Sequence, residues 1–308
     1  MTRALFSLLL IPIGMACGWA LRASAQRHQS LIQRIAILGL NPVAIVTSIW
    51  ALNLDASGIA ALPFVGLGVM AFGLLAGFAA MRLLRMGKDS GTVFSLSSSL
   101  TNLGSIGSLA AFLILGEQAF ALVSFYKLFE EAWVYGLCFP LAAGVHARGQ
   151  SAFKPTRLLK DPVIFFSLAA MGLGLALNLS GLPRPEFFRS LNAWIVPSAV
   201  FLLLVSIGMK IPEGRKKIPR PALFAFLGIR LILMPAFSLA LAMVLGLAAM
   251  PDPTIFKVTI LLSLMPTAFA SLVPPSVYGL DFGLSFGLWI ASNLTLAGTL
   301  PLLWFLLR

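Results

Sequence analysis

Residues 91 to 116 read GTVFSLSSSLTNLGSIGSLAAFLILG, and their interpretation decides the fold. The flanks are apolar enough for a membrane span. The middle holds Ser97, Ser98, Ser99, Thr101, Asn102, Gly104, Ser105 and Gly107, a poor composition for a plain lipid-facing helix. An unsatisfied backbone group in hydrocarbon costs several kcal/mol, so irregular backbone persists there only inside protein or beside a water-filled cavity. A Gly- and Ser-rich break at mid-membrane depth is therefore a candidate binding site. A second break, LSLMPTAFASLVPPSVYGLD at residues 262 to 281, lies in the other half of the chain. Interrupted helices in corresponding positions of two halves point to the substrate site of a secondary transporter.

The composition agrees. The chain is 59% hydrophobic and 10% charged, with mean hydropathy +0.97, more apolar than a soluble domain requires, so it is read as a polytopic membrane protein. The net charge of +12 would suit nucleic acid, but its confinement to alternate loops reads as topology, and no nucleic-acid partner is expected. Cys17 and Cys138 both lie in apolar segments and are expected to be free, buried thiols. The amino terminus imitates a signal peptide, with Arg3, an apolar core and Ala-Ser-Ala before Gln26. The apolar run to Leu21 and the basic residues beyond it fit a retained first span better.

Ten spans of about 20 residues are expected, at 3–21, 32–51, 58–81, 91–115, 119–144, 162–181, 187–209, 221–248, 254–278 and 282–306. The odd connections carry the cations: Arg22, Arg27, Arg34; Arg82, Arg85, Lys88; Arg148, Lys154, Arg157, Lys160; and Lys210, Arg215, Lys216, Lys217, Arg220. The even ones carry Arg184, Arg189 and Lys257. The odd connections should thus be cytoplasmic and both termini external, in the cytoplasmic (inner) membrane. The run Arg215-Lys216-Lys217 reads as a topology signal before it reads as a lipid-binding patch. Pro42 and Pro197 occupy comparable places in spans two and seven; Gly104 and Pro266, and Pro140 and Pro301, recur at nearly equal spacing. Two five-span halves must enter the membrane from opposite sides, so the repeat is inverted.

Span five carries Lys127, Glu130 and Glu131 near its middle. The spacings i,i+3 and i,i+4 let both glutamates reach the lysine on one helix face. Arg230, in span eight, is the expected neutraliser, so the four charges are expected to form one network, structural or proton-carrying. Asn41 precedes Pro42, where the helix should be distorted; Asn293, with Ser292 and Thr295 in span ten, faces either the cavity or another helix. Gly14-xxx-Gly18, Gly73-xxx-Gly77 and Gly283-xxx-Gly287 read as packing surfaces, and most of the tryptophans as interface or packing residues. There is no HExxH, no C-x-x-C, no Walker A sequence and no intramembrane Ser-His pairing. No catalytic residue, metal site or cofactor is expected, and the chain is not read as an enzyme.

The Asn102-Leu103-Gly104-Ser105-Ile106-Gly107 break, Met265-Pro266 with Tyr278-Gly279-Leu280-Asp281 after it, and Asn41-Pro42 resemble the auxin efflux carrier family of membrane transporters, related in fold to the bile acid:sodium symporters. The resemblance covers essentially the whole chain through the order and spacing of short motifs. It implies an all-α protein of ten helices in two inverted repeats, with broken helices 4 and 9 crossing. Residues 1–57 and 162–213 would form a scaffold, residues 58–145 and 214–308 a transport domain, and residues 146–161 a cytoplasmic linker. Family substrates are organic anions, auxin in plants and malate- or malonate-like carboxylates in bacteria. Asn102 and Gly104 match the family's first crossover and Pro266 its second; Leu103, Ser105, Thr267, Asn41 and Asn293 join them as candidate substrate-binding residues. The charged cluster of span five departs from the plant carriers and leaves the coupling ion open between H+ and Na+. Elevator-type alternating access is the expected mechanism, with half-helix N-termini presenting backbone N–H groups to a carboxylate. A sodium-coupled symporter and a non-transporting sensor on the same fold are the alternatives. A homodimer through the scaffold is a further arrangement consistent with this reading.

Overall fold

Asn178 and a row of serines show how this chain places polar groups in an apolar body. In the computed structural model, which describes residues 10–52, 58–146, 162–209 and 218–307, the first such group closes a helix end. Asn178 Nδ2 donates to the carbonyls of Ile49, Trp50 and Leu52 at 3.0, 3.0 and 2.6 Å. Those carbonyls lie at and just beyond the C-terminal turn of a helix, where carbonyls run short of backbone donors.

The described chain is mostly helical, in the order α1 (Leu10–Ala25), α2 (Gln29–Trp50), α3 (Ile59–Leu83), α4 (Lys88–Ser99), α5 (Leu103–Leu115), α6 (Glu117–Val145), α7 (Pro162–Leu179), α8 (Phe187–Gly208), α9 (Arg220–Val244), α10 (Thr254–Ser263), α11 (Val273–Tyr278) and α12 (Phe282–Leu307). Among the described residues there is no strand. Six helices (α2, α3, α6, α8, α9 and α12) are long and apolar enough to cross a membrane, so the protein is an integral membrane protein. The stretches expected as the fourth and ninth spans are each two helices, α4 with α5 and α10 with α11. Residues 3–9 of the expected first span, nearly all of the expected linker, and the basic residues Arg148, Lys154, Arg157, Lys160, Lys210, Arg215, Lys216 and Lys217 lie outside the described residues. Cys17 and Cys138 are free thiols, half-buried and buried.

Prolines shape the long helices. Widened turns of π-helix cover Ile35–Leu40 in α2, Val134–Cys138 in α6 and Ile229–Leu233 in α9. Each stands just before a proline: Pro42, Pro140 and Pro235. A proline has no N–H to donate, and its ring crowds the carbonyl four residues back, so the preceding turn opens by one residue.

Close helix approach sets the packing. Helix α2 packs on α7 and α8, and α8 also on α1, while α3 packs on α4 and α9, and α12 on α4. At the α1–α8 crossing a Cβ on Gly18 would lie 2.1 Å from the Val205 carbonyl oxygen, and one on Gly208 would lie 2.2 Å from that of Met15. Only glycine permits that approach. Helix α4 is buried from Gly91 to Ser99, which explains its tolerance of serines. Ser95 and Ser98 donate to carbonyls one turn back, and Ser99 donates to the Met70 carbonyl of α3 at 2.8 Å.

Candidate functional site

The two breaks meet. Helix α4 ends where Leu100 turns extended (φ −86°, ψ 122°), and the chain runs as unwound backbone until α5 begins. The 264–268 stretch between α10 and the turn before α11 is likewise unwound. The two segments pair antiparallel at Thr101 and Thr267. Asn102 N–H donates to the Pro266 carbonyl at 2.7 Å, and Ala268 N–H to the Leu100 carbonyl at 3.1 Å. Backbone groups that could not be left open in an apolar interior thus satisfy one another. The pairing centres on Thr101 and Thr267 rather than on Gly104 and Pro266.

Asn102 starts α5. Its Oδ1 accepts from the Ile106 N–H at 3.2 Å and from the Ser105 hydroxyl at 2.5 Å, a helix N-cap of the kind asparagine favours. Its carbonyl accepts from the Gly107 N–H at 2.9 Å. The second break resumes less cleanly: a short 3-10 turn, Phe269–Leu272, leads into the six-residue α11. Only α5 is long enough to present a developed N-terminal field.

A cavity of about 320 Å³ lies against this crossing. Asn41, Asn102, Leu103, Gly104, Ser105, Lys127, Glu130 and Glu131 line it, so two groups of residues identified separately in the sequence share one space. Lys127 reaches the break from the cavity side, its Nζ 3.5 Å from where a Cβ on Gly104 would sit. The lysine is held there by an interruption in α6 itself. Residues 127–129 form a turn, with the Leu128 N–H bonded to the Phe125 carbonyl at 3.1 Å and the Glu130 N–H to the Lys127 carbonyl at 2.9 Å.

Four expected residues stand elsewhere. The Pro266 carbonyl is consumed by the crossing. Thr267 is fully buried; its N–H donates to Ser292 Oγ at 2.7 Å and its hydroxyl to the Ser97 carbonyl at 3.1 Å. Asn293 Nδ2 donates to the Trp289 carbonyl at 2.8 Å, one turn back on its own helix. None of the three lines the cavity. Arg230 corrects the expected four-charge network. Its Nη1 donates to the Ser98 carbonyl at 3.3 Å and to Thr101 Oγ1 at 3.1 Å, and its Nη2 donates to the Met265 carbonyl. It is 2% exposed and absent from the cavity wall. The break leaves carbonyls without N–H partners, and a planar guanidinium with five donors satisfies several of them from one side.

Two sets of polar residues escaped the sequence reading. Gln29, Gln33, Tyr135, Ser167 and Ser206 also line the cavity, and Gln29 Nε2 donates to Ser206 Oγ at 2.5 Å and to Gln33 Oε1 at 3.1 Å. Their signal was a polar residue near the end of an apolar helix. The second set surrounds Glu117, at the first turn of α6. Arg184 pairs with it through both terminal guanidinium nitrogens, and Asn192 Nδ2 donates to its Oε1 at 2.6 Å. The lone acidic residue between spans four and five was the available clue.

No family model matches the chain. A protein of Methanothermobacter thermautotrophicus named an uncharacterized transporter is 27% identical over 282 residues, covering 90% of this chain and 88% of the relative. The chain is therefore an integral membrane protein similar, over nearly its whole length, to one bearing a transporter's name.

Proposed function

We propose that the protein is a secondary transporter of small organic anions of the auxin efflux carrier type, working across the cytoplasmic membrane by elevator-type alternating access. In this reading it has ten spans in two inverted repeats and external termini. Spans 1, 2, 6 and 7 form the scaffold, and the rest form the moving body. The observation that carries the reading is the pairing of the two broken stretches beside a polar cavity whose nearest cation is Lys127. A carboxylate there would meet the Lys127 ammonium, the α5 N-terminus and the first-turn residues Gly104 and Ser105. Each of these favours negative charge. The packing of α2 on α7 and α8, and of α8 on α1, supports the scaffold, and the relative's name supports transport.

Proton coupling is the favoured energetics. Glu130 and Glu131 line the same cavity as Lys127, so protonation of one offsets the charge a bound anion brings. The test is uptake of labelled malate, malonate and indole-acetate into proteoliposomes, with pH and sodium gradients imposed separately. The reading expects accumulation of at least one carboxylate, driven by the pH gradient. Carboxylate uptake no greater than in protein-free liposomes would remove it.

A further inference from the structure

The cavity and the Glu117 cluster lie at opposite ends of the helices. The cavity reaches Gln29 and Gln33 at the start of α2, Tyr135 and Phe139 late in α6, and Ser206 and Ile207 at the end of α8. Those ends adjoin the odd connections. Glu117 opens α6, Thr47 and Ser48 lie near the end of α2, Asn192 near the start of α8, and Arg184 in the connection between α7 and α8. Those positions adjoin the even connections. One end of the helices thus borders the cavity, while the other is tied together by polar side chains.

The tie has a definite architecture. Arg184 Nη1 donates to Glu117 Oε1 and, at 3.0 Å, to the Thr47 carbonyl; its Nη2 donates to Glu117 Oε2 at 3.1 Å. Asn192 Nδ2 donates to Glu117 Oε1 at 2.6 Å and to Ser48 Oγ at 3.1 Å, and Thr47 Oγ1 donates to Asn192 Oδ1 at 2.9 Å. Every partner of Glu117 named here comes from α2, α8 or the connection preceding α8. The next residue faces the other way: Gln118 Nε2 donates to Asp252 Oδ2 at 2.9 Å, before α10. Gly116, at φ 91°, makes the corner between α5 and α6 just ahead of both residues, a conformation that favours glycine. The Arg184 and Glu117 side chains retain 11% and 19% exposure. Water can therefore rehydrate each charge as the pair separates, which a fully dry pair would resist.

We propose that Glu117 and Arg184 are a gate, a two-point salt bridge that holds the even-connection end closed while the cavity is open toward the odd-connection end, and that parts each time the moving body slides. This inference rests on the transporter reading. Asn192 and Ser48 orient the carboxylate for the guanidinium, and the Gln118–Asp252 bond travels with the moving body.

The test is accessibility of a buried thiol, which needs no substrate. Val196 is 1% exposed and lies one turn beyond Asn192 on α8. Val196→Cys is placed in the full chain with Cys17→Ser, keeping native Cys138, which is fully buried, as an internal control. Glu117→Gln and Arg184→Gln should each raise maleimide labelling at position 196 about tenfold or more, because losing one partner of a hydrogen-bonded ion pair costs well over the 1.4 kcal/mol that a factor of ten requires. Labelling of Cys138 should stay unchanged. No rise at position 196 in either variant would overturn the gate, and so would an equal rise at Cys138, which reports general loosening. A second arm joins Ser48→Cys to Glu117→Cys with a short bifunctional thiol reagent, their native side chains meeting at 3.4 Å. The join should stop carboxylate uptake and its reduction restore it; uptake that continues through the join would contradict the gate. Absence of uptake by the unmodified protein would fail the transporter reading and leave the labelling result to decide the gate.

Discussion

Arg230→Lys tests whether the crossing is held by geometry or by charge alone. The substitution keeps one positive charge at a position that is 2% exposed, so the cost of burying a cation is largely unchanged. What it removes is the fork. The two terminal nitrogens reach opposite sides of the crossing, Nη1 to the Ser98 carbonyl and Thr101 Oγ1, and Nη2 to the Met265 carbonyl. A lysine nitrogen occupies one of these places and abandons the other. Losing one charge-assisted hydrogen bond costs about 1.5–3 kcal/mol, and leaving a buried carbonyl unpaired costs about 1–3 kcal/mol. The two figures overlap, so the expected destabilisation is about 3 kcal/mol. Reversible denaturant unfolding in mixed micelles, followed by circular dichroism, measures it. A variant within about 0.5 kcal/mol of the parent would refute the reasoning, because the crossing would then need the charge without the fork.

Three further outcomes follow from the geometry. Gly104→Ala should leave stability nearly unchanged, because its Cβ meets only the flexible end of Lys127 at 3.5 Å, whereas Gly66→Ala should unfold or displace α6, because its Cβ would lie 2.1 Å from the Tyr126 carbonyl oxygen; thermal melting compares them, and equal losses would contradict the packing. Asn102→Ala should cost about 1 kcal/mol as a lost helix cap, with Asn102→Asp recovering most of it; equal melting of all three chains would show that the cap contributes nothing. Burial tends to raise the Asp252 carboxyl, but the Thr254 and Gln118 hydrogen bonds and the Lys257 charge outweigh it and hold the group below its ordinary value. Its stabilising effect is therefore full above about pH 3.9 and is lost as pH falls through the lower folded value, so Asp252→Asn should flatten the acid limb of the stability profile, and an unchanged limb would refute that.

The first break was legible because hydrocarbon tolerates so few residue types. Ser97 to Gly107 could not face lipid, and α4 is indeed buried on every side. Pro42 marked the distortion in α2, but the matching turns before Pro140 and Pro235 were not foreseen, since a proline inside an apolar run does not announce whether the helix kinks, widens or ends. Arg230 was misassigned for a related reason. Sequence shows charged partners but not carbonyls, and the broken backbone itself created the acceptors the guanidinium took. Asn293 and Thr267 looked like cavity residues because polarity alone does not say which way a helix turns; one bonds back to its own helix and the other is spent on the Ser97 and Ser292 contacts. Lys127, Glu130 and Glu131 were conspicuous as charges in an apolar span, yet the turn at residues 127–129 that sets their direction carries no glycine or proline to betray it. Glu117 went unnoticed because an acidic residue in a short connection looks solvated until Arg184 and Asn192 are found around it.

The central claim is that an organic anion binds beside the paired breaks with Lys127 as its counter-ion. Equilibrium binding of a labelled carboxylate taken up by the parent protein, measured in detergent for the parent, Lys127→Arg and Lys127→Gln, tests it most directly. Binding should be retained in weakened form by Lys127→Arg and reduced at least tenfold by Lys127→Gln, the loss of one desolvated charge-assisted contact of about 1.5–3 kcal/mol. Unaltered affinity in a folded Lys127→Gln protein would contradict it.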